Sequence, residues 1–252
     1  MTATLPLLRA SFRMMLRSRG VVFAEIAIPV QVVAFGLASG LVLGVGGDRL
    51  NFLDFVVPGL AILLPISSLQ DTTVAIAASH KARGVLRRLA ATPVSPARFV
   101  AAQIVSYLLL GLLVSALALA IGALMGAKVI IGPELLWLIP IVAIGVLTAL
   151  SIAFAIAGLT PNPATANIVG GAVILPLFVL SGAFLPVAAM PAPLPSVVPY
   201  AIPYAALIEA FRGIAVTGSG ITSYGWQLVV GLAWLTAAFA LAARVYRFTD
   251  ER

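Results

Sequence analysis

The chain has 252 residues, of which 62% are apolar and only 9% are charged, and its net charge is +7. A composition this apolar excludes an ordinary soluble domain and indicates several membrane-spanning segments. The chain has no cysteine, so disulfides and thiolate metal sites are excluded.

Residues 1–20 predict an amphipathic helix on the membrane surface rather than a cleaved signal peptide. Apolar residues recur there at helical spacing, and Arg9, Arg13 and Arg17 form a second ridge, four residues apart. Such an interfacial helix would turn its arginines toward anionic lipid. A basic flank that only fixes topology is the alternative. The arginines interrupt the short apolar core that a signal peptide needs.

Six apolar stretches reach the length of about 20 residues that a helix needs to cross a bilayer. We predict spans at residues 22–45, 52–78, 99–126, 135–159, 166–185 and 224–244. The predicted fold class is therefore an all-α membrane protein, with six transmembrane helices in one domain over residues 1–252. In the first span, Gly36, Gly40 and Gly44 repeat the G-x-x-x-G pattern, which favours close helix packing.

A basic segment separates the second span from the third. Residues 79–98 contain Lys81, Arg83, Arg87, Arg88 and Arg98, and such residues are costly in hydrocarbon. If both termini are cytoplasmic, twelve of the 15 Lys and Arg residues are cytoplasmic and three are external. The positive-inside rule therefore predicts cytoplasmic termini and a cytoplasmic loop, whose residues we expect to contact another protein.

The segment at residues 186–214, after the fifth predicted span, is apolar but contains six prolines, which break helices. Residues 201–214 nevertheless resume a helical pattern. Broken helix at membrane depth is tolerated only where protein or a cavity surrounds it. We therefore predict an external re-entrant helical hairpin. A plain external loop is less favoured, because it would expose many Val, Leu and Ile residues to water.

Few ionisable residues lie near the spans. Glu25 and Asp71 are predicted near the inner ends of the first two spans, where an ionisable group is a functional candidate. The favoured interpretation is that each caps a helix or pairs with a basic neighbour at the interface. Asp54 is predicted at the outer surface. Glu209 and Arg212, three residues apart on the re-entrant helix, can pair on one helix face.

Sequence motifs of an enzyme are missing. The single histidine, His80, lies in the basic segment, which leaves no His-dependent triad in the membrane. The sequence has no H-E-x-x-H and no carboxylate cluster for a metal. It also has no G-x-x-x-x-G-K-[ST], so ATP would have to be bound by another polypeptide. We predict no catalytic, metal or cofactor residues in this chain.

Three local sequences resemble the permeases of the ABC-2 exporter family, which includes daunorubicin-resistance-type drug pumps and exporters of polysaccharides and lipids. The sequence R-G-V-L-R-R-L-A-A-T-P-V-S at residues 83–95 is similar to the family's loop between spans two and three. The sequence L-S-G-A-F-L-P at residues 180–186 resembles the end of its fifth span. Pro203 and Tyr204, followed by Leu207 and by Arg212-Gly213, resemble its external re-entrant helix.

The loop also departs from the family pattern at two positions. Ala82 and Arg87 stand where the family often has an acidic residue, so the loop is more basic than usual. The resemblance implies that the loop contacts an ATPase through Arg83, Gly84, Leu86, Arg87, Arg88 and Leu89. We expect an outer gate formed by Phe184, Leu185, Glu209 and Arg212.

The resemblance further implies a multi-pass permease of the bacterial cell membrane that works with two cytosolic ABC ATPase subunits and a second permease, identical or similar. ATP and Mg would bind to the ATPases. The complex would export a hydrophobic or amphipathic molecule, such as a drug or a lipid, an activity associated with efflux and with multidrug and antibiotic resistance. Membrane lipids would be the other partners, and no nucleic acid is expected.

Two other classes remain as alternatives. An ion-coupled secondary transporter would need ionisable groups at mid-membrane and internal repeats, and the sequence shows neither clearly. A membrane-embedded enzyme that modifies lipids would need a catalytic constellation, which we do not find. A neighbouring gene for an ATPase, or an ATP-hydrolysing subunit that copurifies, would favour the permease.

Overall fold

The computed structural model describes residues 23, 27–28, 30–34, 49–85 and 96–246, and it describes only the backbone of residues 49–51 and 96–99. Helices dominate this part of the chain, which supports the predicted all-α class. The α-helices are α1 (Arg49–Ala82), α2 (Pro96–Leu124), α3 (Leu138–Leu159), α4 (Pro163–Val179), α5 (Leu194–Ala201), α6 (Ala205–Thr217) and α7 (Gly225–Val245). Short 3-10 helices lie at Pro133–Trp137, Val187–Ala189 and Ile221–Tyr224.

Several of these helices are long and apolar enough to cross a membrane, which agrees with a multi-pass membrane protein. Four segments qualify within the described residues: Phe52–Ala82, Val100–Leu124, Pro133–Leu159 and Ile221–Val245. The bent pair α5 and α6 would add a fifth if it is counted as one span. Helix α4 is apolar but has 17 residues, at the short limit for a span.

The predicted N-terminal interfacial helix and about two thirds of the predicted first span lie outside the described residues. The count of six spans therefore stays a prediction. Among the described residues of the first span, Ile28 and Val32 are buried in the main core. The predicted helix-packing residues Gly36, Gly40 and Gly44 and the ionisable residue Glu25 lie outside the described part.

Helix α1 is the central element of the bundle. It has 34 residues, includes Pro58 and Pro65, and contacts α2, α3, α4 and α6. Its buried side chains supply much of the apolar core, which is completed by residues of α3 and α6. The largest fully buried apolar members are Leu60, Ile62, Leu63, Ile66, Leu69, Ile141, Leu150, Leu207, Ile208, Phe211 and Ile214.

Glycines allow neighbouring helices to approach closely. A Cβ added at Gly145 of α3 would lie 2.4 Å from Cδ1 of Ile66 on α1. A Cβ added at Gly231 of α7 would lie 2.6 Å from Cδ2 of Leu207 on α6. Small residues at helix crossings are typical of membrane bundles, where close packing supplies much of the association energy.

The bundle has two distinct ends. We call one the hairpin end, after the re-entrant hairpin that the sequence predicts at residues 186–214. At this end Asp54 accepts a hydrogen bond from the Lys128 amide, and the Ile130 amide donates to the Ala215 carbonyl at 2.8 Å. We call the other the loop end, where residues 79–85 lie and where α3 and α7 end. Asp54 was predicted at the outer surface, and the structure places it at the hairpin end.

The proline-rich segment forms a broken helix, as the sequence indicates. Helices α5 and α6 meet at an angle of 91° across a break of three residues that includes Pro203. Gly218 caps the C-terminus of α6, and its φ of 68° lies in the left-handed region that favours glycine at this position. The predicted helical stretch at residues 201–214 corresponds to α6. The sequence analysis did not predict the separate helix α5.

Candidate functional site

At the hairpin end, Arg212 of α6 connects three parts of the chain. Its Nε donates to the carbonyl oxygen of Phe55 on α1, and its Nη2 donates to the carbonyl oxygen of Gly182, both at 2.8 Å. Its Cζ lies 3.7 Å from the centroid of the Phe55 ring, a cation–π contact. The guanidinium therefore joins α6 to α1 and to the turn that follows α4.

Two glycines shape this joint. Gly182 has a φ of 78°, which places its carbonyl in a turn that other residues rarely adopt. Gly59 of α1 lies under the same turn, and a Cβ added there would lie 2.9 Å from the backbone of Ala183 and from Nη2 of Arg212. The backbones of α1 and of the turn thus come together only because residue 59 has no side chain.

A pocket of about 570 Å³ opens beside Arg212. Glu209, one turn earlier on α6, is exposed and lines the pocket together with Phe55. Two further lining residues, Tyr200 and Trp226, form an aromatic pair with ring centroids 5.5 Å apart. The pocket therefore combines an acidic group, the Arg212 guanidinium, aromatic rings and an apolar wall, a combination that can hold an amphipathic molecule.

A buried polar contact joins the bend of the broken helix to the middle of α1. Tyr204, which precedes α6, donates from its hydroxyl to Oε1 of Gln70, and both residues are almost fully buried. Nε2 of Gln70 and Oγ1 of Thr73 are buried and have no hydrogen-bond partner within the described structure. Unsatisfied polar groups at this depth are costly, so the region is a candidate for water or for movement.

At the loop end, Lys81 holds the C-terminus of α3. Its Nζ donates to the carbonyl oxygens of Ala157, Gly158 and Thr160, at 3.4, 2.8 and 3.3 Å. The last carbonyls of a helix lack partners within that helix and carry the negative end of its dipole. The half-buried Lys81 ammonium donates hydrogen bonds to these carbonyls and places a positive charge at the negative end of the dipole. Lys81 therefore ties the end of α1 to the end of α3.

Helix α7 joins the same tie. The Tyr246 hydroxyl donates to the Ala77 carbonyl at 3.2 Å, and its ring centroid lies 5.1 Å from that of Phe154. Burial raises the pKa of Tyr246 to about 12, so its hydroxyl remains a hydrogen-bond donor above the pH at which an exposed tyrosine ionises. A Cβ added at Gly158 would lie 2.8 Å from the Val245 carbonyl, so α3 and α7 touch through their backbones.

Helix α1 ends at this tie. The Arg83 amide donates to the Ser79 carbonyl at 3.0 Å, and Gly84, with a φ of 62°, takes the left-handed conformation that ends helices. The side chain of Arg83 is exposed. The basic segment thus leaves the bundle from a fixed point, with one exposed arginine at its start.

The family model for the ABC-2 type transporter matches residues 3–216, most of the chain. The chain belongs to the ABC-2 type transporter family. It is therefore the membrane permease component of an ABC transporter, and membership of this family implies partnership with ABC ATPase subunits. Such components are generally not catalytic themselves. The comparison with curated proteins gives no match.

Of the predicted outer-gate residues of this permease, Phe184 and Leu185 follow α4, and Glu209 and Arg212 belong to α6. Phe184 follows the Gly182 turn, and its ring centroid lies 5.0 Å from that of Phe178, whereas Leu185 is about half exposed. Glu209 and Arg212 both line the pocket. The suggested pairing on one helix face is not the contact that the structure shows for Arg212, because its donors bond to backbone carbonyls of Phe55 and Gly182.

The predicted coupling residues are only partly described. Arg83 and Gly84 lie at the end of α1, whereas Leu86, Arg87, Arg88 and Leu89 lie outside the described residues. Of the ionisable residues near the spans, Asp71 is exposed on α1. The described residues contain no group of three or more His, Asp or Glu residues that could hold a metal.

Sequence reasoning missed the roles of Lys81, Gly59 and Gly158. It counted Lys81 only as a positive charge of the loop. A lysine directly after an apolar span can bind the carbonyls at a helix end, but a lysine that faces water occupies the same position in the sequence. The carbonyls that Lys81 contacts are 76 to 79 residues away and belong to apolar residues and a threonine.

Proposed function

We propose that this permease associates with a second permease and two cytosolic ATPases to export a hydrophobic or amphipathic molecule, such as a drug or a lipid, across the bacterial cell membrane. ATP and Mg would bind to the ATPases alone. In this arrangement the loop end is cytoplasmic and the hairpin end is external, and the bent pair α5 and α6 is the re-entrant hairpin over the exit.

One observation supports this proposal most directly: α1 contributes to both ends of the bundle. It supplies the Phe55 carbonyl and ring that hold Arg212, and it supplies Lys81 at the loop end. The two residues are separated by about 39 Å of continuous helix, at 1.5 Å per residue. A displacement of the loop by an ATPase would therefore reach the hairpin-end pocket through a single element.

The pocket supports the choice of cargo. It contains exposed Glu209 beside aromatic and apolar residues, and the helices around it are strongly apolar. A molecule with a polar group and a hydrophobic body could place the polar group beside Glu209 and its body against the apolar residues. A highly charged polymer would place charged groups against apolar residues that offer them no hydrogen bonds, which is costly.

Transport by the reconstituted complex tests this function. The permease and its ATPase would be placed in proteoliposomes, and ATP-dependent movement of a fluorescent amphipathic compound would be measured. We expect movement with ATP and none with a non-hydrolysable analogue. Movement without any ATPase subunit, driven by a proton or sodium gradient, would instead identify a secondary transporter.

The predicted orientation can be tested by labelling, because the chain has no cysteine. A cysteine at Ser95, in the basic segment, should react with a membrane-impermeant maleimide only after the cells are opened. A cysteine at Thr222, which is exposed beside the pocket-forming helices, should react in intact cells. Reaction of both cysteines in intact cells would contradict the proposed topology.

The loop is expected to couple the permease to its ATPase through apolar side chains. Leu86→Asp or Leu89→Asp should abolish cargo-stimulated ATP hydrolysis, because each loses about 1.5–3 kcal/mol of apolar burial and adds a desolvated charge. Leu86→Met keeps the apolar contact and is the matched control. If the two Asp variants assemble with the ATPase and transport normally, the loop is not the coupling element.

A further inference from the structure

The loop-end half of α1 carries a polar face. Between residues 67 and 79, the buried positions are mostly apolar, but the incompletely buried positions recur at intervals of three and four residues and thus share one face. That face carries Ser67, Ser68, Asp71, Thr72 and Ser79 together with Ala75 and Ile76, and His80 follows on it. Ser67 donates to the Leu64 carbonyl of its own helix, so Asp71 is the residue least suited to lipid.

This face is unsuited to lipid. Asp71 is exposed and lies ten residues before Lys81, about 15 Å along the helix from the loop-end tie. A carboxylate that faces lipid hydrocarbon at this depth is costly, and ionisable groups within spans usually face a cavity or a charged partner. The polar face of α1 therefore lines an aqueous space or meets an oppositely charged group.

We propose that the cargo of this permease is a hydrophobic organic cation and that Asp71 binds its positive charge. This inference rests on the proposed function, in which the polar face of α1 lines the path between two permeases. Lys81 is held by three carbonyl oxygens, and Arg83 lies about 18 Å farther along α1. Within the described part of the basic segment, neither Lys81 nor Arg83 therefore pairs with the Asp71 carboxylate, which is available to a cationic cargo.

The hairpin-end pocket offers a second site for an organic cation, on different residues. Glu209 is exposed there beside the aromatic pair of Tyr200 and Trp226, and a carboxylate with aromatic faces is a typical recognition surface for organic cations. The charge of Arg212 lies in the same pocket, so Glu209 is partly neutralised. The pocket would bind a cation more weakly than Asp71 does, which favours outward release.

Binding of two ions of the same shape and opposite charge tests the proposal. The permease–ATPase complex in lipid nanodiscs would be dialysed against tetraphenylphosphonium or tetraphenylborate, with empty nanodiscs as the blank. We expect saturable binding of the cation and binding of the anion at least about tenfold weaker. Asp71→Asn should weaken cation binding about tenfold, since a charge-assisted contact is lost, whereas Asp71→Glu should stay within about threefold.

Glu134→Gln is the matched control, because it removes an acidic charge at the hairpin end outside the pocket, and it should leave binding unchanged. Unchanged cation binding in Asp71→Asn, an equal loss for both ions, or loss of permease association would each overturn the proposal; the last would assign Asp71 to a subunit contact. Absence of saturable cation binding to the unmodified complex would also overturn it. Asp71-dependent binding without ATP-driven transport would support the cation site and reject the export function instead.

Discussion

Arg212→Met is expected to loosen the contact of α6 with α1 at the hairpin end and to abolish transport while the permease still inserts. The methionine keeps the length and apolar stem of the side chain but cannot donate to the Phe55 and Gly182 carbonyls. Two hydrogen bonds from a charged donor contribute about 1.5–3 kcal/mol each, and the cation–π contact about 0.5–2 kcal/mol. The cost of desolvating the guanidinium offsets part of this sum.

We therefore expect a net loss of about 2–4 kcal/mol, and a melting temperature of the detergent-solubilised permease lower by roughly 5–15 °C. Arg212→Lys should be intermediate, because an ammonium keeps the charge but not the planar fork that reaches two carbonyls. Glu209→Gln is the stability control, since it lies one turn away on α6 and is exposed; its melting temperature should move by less than about 2 °C. An unchanged melting temperature in Arg212→Met would show that these carbonyl contacts do not stabilise the broken helix.

The architecture could be predicted from sequence wherever it depends on hydropathy. The predicted span at residues 52–78 corresponds to α1, which runs to Ala82, and the span at residues 135–159 corresponds to the 3-10 helix Pro133–Trp137 together with α3. Length and apolar composition determine such segments almost alone. The break near Pro203 was predictable for the same reason, because proline interrupts helical hydrogen bonding whatever the tertiary context.

The site could be predicted only in part. The sequence predicted Arg212 as a gate residue, but its partners in the structure are two backbone carbonyls, which every residue has and which no sequence pattern indicates. The contact of Gly59 with the backbone of Ala183 could not be predicted either. Glycine is frequent in this membrane chain, and its presence at one position does not indicate which neighbour requires it. Contacts between side chain and backbone at large sequence separation leave no pattern of residue types, so the structure is needed to find them.

Lys81→Met is expected to uncouple ATP hydrolysis from transport. The substitution keeps the apolar stem and removes the ammonium that the carbonyls of Ala157, Gly158 and Thr160 share. A cation at a helix C-terminus contributes up to about 2 kcal/mol when it is partly buried, so the permease should fold with a modest loss of about 1–2 kcal/mol. Without the tie, a displacement of the loop would move the end of α1 alone and leave α3 behind.

The measurement is the number of cargo molecules moved per ATP hydrolysed by the reconstituted complex, and we expect it to fall roughly tenfold, which corresponds to about 1.4 kcal/mol of lost coupling. The chain has two lysines, and the other one, Lys128, is exposed at the hairpin end, so Lys128→Met is a control of identical chemistry. That variant should keep the transport ratio of the unmodified complex. If Lys81→Met also keeps it, α3 does not follow the loop, and the motion must pass through α1 by itself.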